Sequence, residues 1–521
     1  MSLLFYTSCK LRKVIEYPTL LPPIILTFVF LTSFYMQEEK TLSKLPIKKI
    51  QGRAVDLPIS ARPHLNPDDV KVPEGYEVEV VAAGLSFPTG MGFSDDGTLY
   101  ILEGGSTWPT RPALPPRILQ LTPSGELDVF AIETLGGPRG VTYRDGYIYV
   151  SCKGGYLARI VRYDVKTRKR EVLIEKIPSG GWHEPGGPVF SPHDGLMYFA
   201  NGSVSQNGVC LPSGFGVDLA KHPHAHDIPG VDITLTGNNV TSRNPLMPFP
   251  FLTETGPYKP FGTPAKKGEV IKGELWCSTG LWRSKPDGSD VELLAWGLRN
   301  PYGLAFNEGG ELYASDNCLE EKGERAVAGD PDRIWHIKNS KTPHGSVKTP
   351  DWYGFPEMRA DGVPVWDEKC KPSKGQRAER LIENLPEWAG PPAYLEKPHS
   401  AMTQMDFCRS DFFGYRGELF VTEWGTYAPL NSPHEKDINN GFRVMRVDVH
   451  KGTSEVFLEN KFQGASSYHG TGGIERPVDC KFHPDGKSLY VLDFGYSPVT
   501  EGLVEAYGHT GVLWKVTKKR G

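Results

Sequence analysis

Two short phrases in this chain carry the side chains best suited to proton transfer and anion recognition. The first is Gly180-Gly181-Trp182-His183-Glu184-Pro185-Gly186-Gly187-Pro188-Val189-Phe190, which sets a histidine just ahead of a strand-like run. The second is Gly297-Leu298-Arg299-Asn300-Pro301-Tyr302-Gly303-Leu304-Ala305-Phe306, which sets Arg299 and Asn300 at the same place before another such run. A histidine beside an arginine favours the neutral, basic imidazole, because a second positive charge is repelled. Each residue alone fits a structural role equally well, and the shared position is what singles them out. Arg476 heads a third phrase of the same form, Pro477-Val478-Asp479-Cys480-Lys481-Phe482. Other chemistries lack their signatures. No Gly-rich phosphate loop follows a strand and opens a helix, and Gly-x-Ser-x-Gly and His-Glu-x-x-His are absent. His222, His224 and His226 alternate in a Pro-flanked segment that reads as a solvated loop or a metal-binding one.

The elements that position these residues follow from a repeat. Phe87-Pro88-Thr89-Gly90-Met91-Gly92-Phe93 leads through Asp96-Gly97 into Leu99-Tyr100. This apolar strand, polar turn and second strand returns around Pro138, Gly187, Pro301, Met405 and Pro477. Further strand-like runs follow most copies, including Arg117–Leu121, Ile160–Tyr163, Phe442–Val447 and Val512–Val516. Four strands per copy predict an all-β, six-bladed propeller over residues 72–521, whose closed ring protects its sheet edges. The uneven spacing argues against a linear solenoid. Long insertions run from Cys210 to Gly273, Leu319 to Asp330 and Thr342 to Lys397, and loops of that length on a rigid scaffold commonly serve function. Three residues after the Tyr or Phe of each copy stand Glu103, Cys152, Asn201, Asp316, Glu423 and Asp493. They mark one polar end of the ring, through turn chemistry or through a functional rim.

The 521 residues hold 58 Gly and 45 Pro, a composition natural to short strands and tight turns. The net charge is −4 with no basic stripe, so nucleic acid is excluded as the expected partner. Cys9-Lys10-Leu11-Arg12-Lys13 precedes an apolar run from Leu20 to Met36. Residues 1–36 therefore read as a cleaved export signal or a membrane anchor, 37–71 as a linker, and the body as periplasmic or extracellular. The 8 cysteines include no C-x-x-C pair, and an oxidising compartment permits disulfides among them.

The chain resembles the soluble quinoprotein glucose and sorbosone dehydrogenases, a group that includes fungal quinone-dependent pyranose dehydrogenases. The phrase from Gly297 to Phe306 is similar to their G-x-R-N-P-x-G-L-A-F, and His183, Gly186 and Val189 match H-x-x-G-x-x-V. Tyr353-Gly354-Phe355-Pro356 resembles Y-G-W-P. The resemblance implies a six-bladed propeller that oxidises a sugar or related aldehyde, passing hydride to bound pyrroloquinoline quinone and electrons on to an acceptor. It implies His183 as general base and Arg299 as stabiliser of charge on the quinone. It implies Arg299, Asn300 and Arg476 as cofactor ligands, and calcium on the backbone carbonyls of Cys318, Leu319 and Tyr353. The chain departs from the pattern where Cys318-Leu319 replaces Gly-Pro and where Ile474 replaces a second arginine. Glu320, Glu321, Asp330 and Asp332 offer oxygen ligands nearby.

Two other readings stay open at this level. A metal-dependent propeller lactonase needs Glu103, Asn201 and Asp493 to converge on a divalent ion. A non-catalytic binding propeller needs no convergence at all, since the fold hosts many functions.

Overall fold

A computed structural model describes residues 48–50, 53–55, 62 and 64–519, apart from 105–109, 112–114, 134–135, 182, 213–218, 220–221, 248–250, 429–432, 435–437 and 501–502. The apolar run from Leu20 to Met36 and most of the 37–71 stretch lie outside the described residues.

Each copy of the repeat folds into one antiparallel blade, described here from the channel outwards. Blade one comprises Gly90–Phe93, Leu99–Glu103, Arg117–Leu121 and Leu127–Ile132. Blade two comprises Gly137–Arg144, Tyr147–Gly154, Leu157–Asp164 and Arg170–Pro178. Blade three comprises Pro185–Phe190, Met197–Asn201, Leu281–Ser284 and Glu292–Trp296, with Asp351–Trp352 added in parallel. Blade four comprises Pro301–Phe306, Leu312–Asp316, Asp332–His336 and Tyr394–Glu396. Blade five comprises Met402–Phe407, Leu419–Glu423, Arg443–Asp448 and Thr453–Asn460, with Val70–Lys71 at its edge. Blade six takes Pro477–Phe482, Ser488–Asp493 and Gly511–Lys518 from the C-terminal end of the chain, and Tyr76–Leu85 from ahead of blade one. That last pairing, Gly511↔Leu85 through Lys518↔Tyr76, closes the ring. The sheet system therefore takes in residues ahead of Val72.

The core is a set of apolar wedges between neighbouring blades. Tyr100, Leu102 and Ile118 meet Val141, Val150 and Val161 between blades one and two. Phe420, Val444 and Phe457 meet Val491 and Trp514 between blades five and six. Second strands are covered on both faces, so they read as continuous apolar runs such as Leu99-Tyr100-Ile101-Leu102, every residue buried. Outer strands are more exposed, as in Leu127–Ile132, where only Leu127 and Phe130 are buried. The glycines of the repeat sit where inner strands crowd the axis. A Cβ on Gly140 would lie 1.9 Å from the Gly187 carbonyl oxygen, and one on Gly303 would lie 2.4 Å from that of Thr403. One end of the channel is a cavity of about 320 Å³, lined by Gly92, Val141, Val189, Leu304, Met405 and Lys481, one residue from each inner strand. All seven described cysteines are buried free thiols. No helix among the described residues is long and apolar enough to cross a membrane.

Candidate active site

The other end of the channel is where the inner strands begin, and there the chain leads into blade three through His183. Its ring is buried, 7% exposed. Nδ1 lies 2.9 Å from the Ser203 carbonyl oxygen and 2.8 Å from Ser203 Oγ. A carbonyl can only accept, so Nδ1 carries the proton and Nε2 the lone pair. Ser203 Oγ accepts from Nδ1 and donates to the Ser205 carbonyl at 2.6 Å. Nε2 makes no hydrogen bond to a described residue. Burial, reinforced by the Arg299 and Lys153 cations, holds the imidazole well below its ordinary pKa, with the Ser203 bond opposing. Lys153 Nζ also donates to the carbonyls of His183, at 2.9 Å, and Gly181. The loop beneath the ring passes through Gly202, where a Cβ would lie 2.4 Å from the His183 Cβ and 2.9 Å from the Arg299 carbonyl oxygen. Only glycine lets the segments leading into blades three and four approach so closely. Ser203 N donates to that same Arg299 carbonyl at 2.8 Å, which ties these segments together.

The segments leading into blades four and six share one bracket. Asp316, ending the second strand of blade four, accepts the backbone N–H of Arg299 at 3.3 Å and of Asn300 at 2.6 Å. Asp493, at the equivalent place in blade six, accepts those of Glu475 at 2.9 Å and Arg476 at 2.8 Å. Both arginines are 2% exposed. Arg299 Nε donates to the Gln206 carbonyl at 3.0 Å and Nη2 to Glu320 at 3.3 Å, leaving Nη1 without a described partner. Asn300 Nδ2 donates to Asn317 Oδ1 at 2.7 Å, while its Oδ1 accepts from Glu184 N at 3.5 Å. Arg476 has no carboxylate partner among the described residues. Its Nε donates to the Ser497 carbonyl at 3.0 Å, and Nη1 reaches the carbonyls of Trp424, Gly425 and Thr426 at 3.3–3.4 Å. The rings of Trp424, Tyr427 and Phe442 surround the guanidinium at 5.7, 5.3 and 5.0 Å. Nη2 has no described partner.

The six polar positions marked by the repeat act as brackets more than as a rim. All are buried. Glu103 accepts from Ser86 N at 2.6 Å and Arg117 Nε at 2.6 Å, and Asn201 donates to the Pro178 carbonyl at 2.6 Å. Asp493 is further held by Arg62 Nη1 at 2.8 Å. Glu103, Asn201 and Asp493 thus each hold hydrogen-bond partners in neighbouring segments of the ring. No cluster of three His, Cys, Asp or Glu able to hold a metal exists among the described residues. Near the carbonyls expected to hold calcium, Asp332 accepts from Cys318 N at 2.7 Å and Asp330 from Leu319 N at 2.6 Å. The carbonyl oxygens of Cys318, Leu319 and Tyr353 accept no hydrogen bond from a described residue. The Tyr353 ring packs on Trp335, and its hydroxyl donates to the His336 carbonyl at 3.0 Å. Glu320 Oε2 is buried without a partner.

Several contributing residues lie outside the motifs: Lys153, Ser203, Asn317 and Trp424. A signal existed. Each stands one or two residues beyond the marked position, behind Cys152, Asn201, Asp316 and Glu423. There Lys153, Asn317 and Trp424 meet the entry to the next blade, and Ser203 meets the entry to its own.

No family model matches the chain. An uncharacterized protein of Borreliella burgdorferi is 24% identical over 432 residues, 82% of this chain and 89% of that protein. Among solved structures, the holo form of the PQQ domain of a pyranose dehydrogenase from Coprinopsis cinerea shares 15% identity. It covers 88% of this chain and 99% of its own, with a TM-score of 0.51. The calcium structure of a Trichoderma reesei enzyme of carbohydrate-active family AA12 shares 13% identity over 88% and 99%, also at 0.51. At such identities the likeness establishes the six-bladed fold.

Proposed function

We propose that this protein is a sugar-oxidising quinoprotein, with pyrroloquinoline quinone held over the channel end where His183, Arg299 and Arg476 stand. The observation that carries the reading is a neutral His183 tied to Arg299, at the end where, among the described residues, Nε2 has no partner and the buried Arg476 no carboxylate. A buried cation without a counter-charge is costly unless an anion completes it. One structure neighbour is named as the PQQ domain of a pyranose dehydrogenase and another as a calcium structure of a carbohydrate-active enzyme, and both support the reading.

The residues present fit such a cofactor. Arg476 Nη2 and Arg299 Nη1 are guanidinium donors free for its carboxylates and quinone oxygens, and Asn300 flanks them. Calcium would take hard oxygen donors, such as the carbonyl oxygens of Cys318, Leu319 and Tyr353 and Glu320 Oε2. Bound there, the quinone would supply a two-electron acceptor for hydride. His183 Nε2 would take the proton of the substrate hydroxyl as the carbonyl forms. Ser203 holds the ring while the charge forms, and Arg299 stabilises negative charge opposite it. The test is a titration of the purified protein with the quinone, with and without calcium, followed by dye reduction across a panel of sugars and aldehydes. Saturable binding with sugar-dependent dye reduction is expected, and no reduction with any substrate overturns the reading.

A further inference from the structure

The insertion that follows the second strand of blade three returns a carboxylate to the back of His183. Asp227 is buried, 2% exposed, and no cation pairs with it among the described residues. Four neutral donors hold it instead. Val204 N and Ser278 Oγ each lie 2.8 Å from Oδ1, while Ser205 N, at 3.2 Å, and Ser205 Oγ bind Oδ2. The Val204 N–H belongs to the same peptide group as the Ser203 carbonyl, the group that accepts from His183 Nδ1. Carboxylate, amide and imidazole thus form one chain of two hydrogen bonds joined through a conjugated peptide. An anion on the N–H end of an amide increases the charge on its oxygen, and linked hydrogen bonds strengthen one another. A second strand of the network runs beside it, from Nδ1 through Ser203 Oγ to the Ser205 carbonyl.

We propose that Asp227 acts on His183 through the Ser203–Val204 peptide, as a positioning residue that fixes the Nδ1–H tautomer and leaves Nε2 the basic atom. The inference rests on the reading of His183 as the base. It gives the Cys210–Gly273 insertion a chemical task. The charged groups facing His183 are Arg299 and Lys153, both cations that disfavour its protonation. Cys210 and Tyr258 face Asp227, and His226 Nδ1 lies 2.8 Å from its carbonyl oxygen. None of these supplies a competing acceptor for Nδ1.

Asp227→Asn keeps the shape but aims an NH2 group at backbone donors, so at least one bond is lost. The full chain, loaded with quinone and calcium, should lose about 10- to 100-fold in kcat, the range found for outer-shell partners of metal-bound histidines. KM for the sugar should stay near the wild-type value. The second readout needs no turnover: ¹⁵N NMR of the cofactor-free protein, with the His183 ring assigned by its loss in His183→Gln. Wild type should show Nδ1 protonated and Nε2 bare, and Asp227→Asn should shift population toward the other tautomer. Ser205→Ala should move both readouts the same way by less, and decides the matter if Asp227→Asn does not fold. The proposal is overturned if kcat and spectrum both stay at wild type, or if kcat falls with the spectrum unchanged. A wild-type protein inert toward every sugar, alongside a spectral shift in Asp227→Asn, sinks the dehydrogenase reading and leaves the positioning role standing.

Discussion

Arg476→Lys separates charge from shape at the buried arginine. Lysine keeps the positive charge but lacks the planar fork, so it cannot hold the Ser497 and Trp424–Thr426 carbonyls while also presenting a free donor. In the structure one nitrogen, Nη2, is left for a ligand carboxylate. The loss is therefore one charge-assisted hydrogen bond, about 1.5–3 kcal/mol, or roughly 10- to 150-fold in Kd for the quinone. The assay is the absorbance titration of purified protein with pyrroloquinoline quinone, run beside His183→Ala as a variant that should bind normally. Wild-type affinity in Arg476→Lys, or equal losses in both variants, would refute the assignment of Nη2 to the cofactor. The thermal midpoint of the cofactor-free variant checks that the fold is intact, since the Trp424, Tyr427 and Phe442 rings still enclose the site.

Other substitutions test other parts of the molecule. His183→Ala should abolish sugar-dependent dye reduction while quinone still binds, and the acid limb of wild-type kcat/KM should lie below pH 6.5, because burial and Arg299 lower the imidazole pKa; a limb above that value contradicts the assignment. Burial raises the Glu423 carboxyl to about 8, with Arg443 opposing and Glu396 adding to the rise. The folded chain then keeps a proton that an unfolded glutamate, ordinarily at 4.5, has lost, so stability falls as pH rises between those values. Glu423→Gln should remove that loss, its melting temperature exceeding wild type by more at pH 8 than at pH 5, and parallel curves would contradict it. Gly140→Ala should destabilise by about 1–3 kcal/mol or more in urea unfolding, since its Cβ would lie 1.9 Å from the Gly187 carbonyl oxygen.

The placement of His183, Arg299-Asn300 and Arg476 just ahead of inner strands was legible because the repeat numbers every position in a blade. Their partners were less legible. Glu103, Asp316 and Asp493 stood out as a ring of polar residues, yet their work is to accept backbone N–H groups, which carry no side-chain signature. The six equivalent positions suggested a rim on which Glu103, Asn201 and Asp493 could share a metal, and in the structure these side chains bond Ser86, Pro178 and Arg476. The aromatic enclosure of Arg476 draws on blade five, and nothing in its own phrase announces it.

The chain alone carried the all-β class, the blade count and the location of the charged residues at the strand starts, because strand alternation and hairpin turns are local properties that recur with each copy. Ring closure was a tertiary decision. Tyr76–Leu85 completes the blade begun at Pro477, and only the curvature of five intervening blades brings those distant segments together. The link from Asp227 to His183 has the same origin. It depends on where a long insertion returns and on a peptide group between two side chains, and hydrogen bonds made through the main chain leave almost no trace in the order of residues.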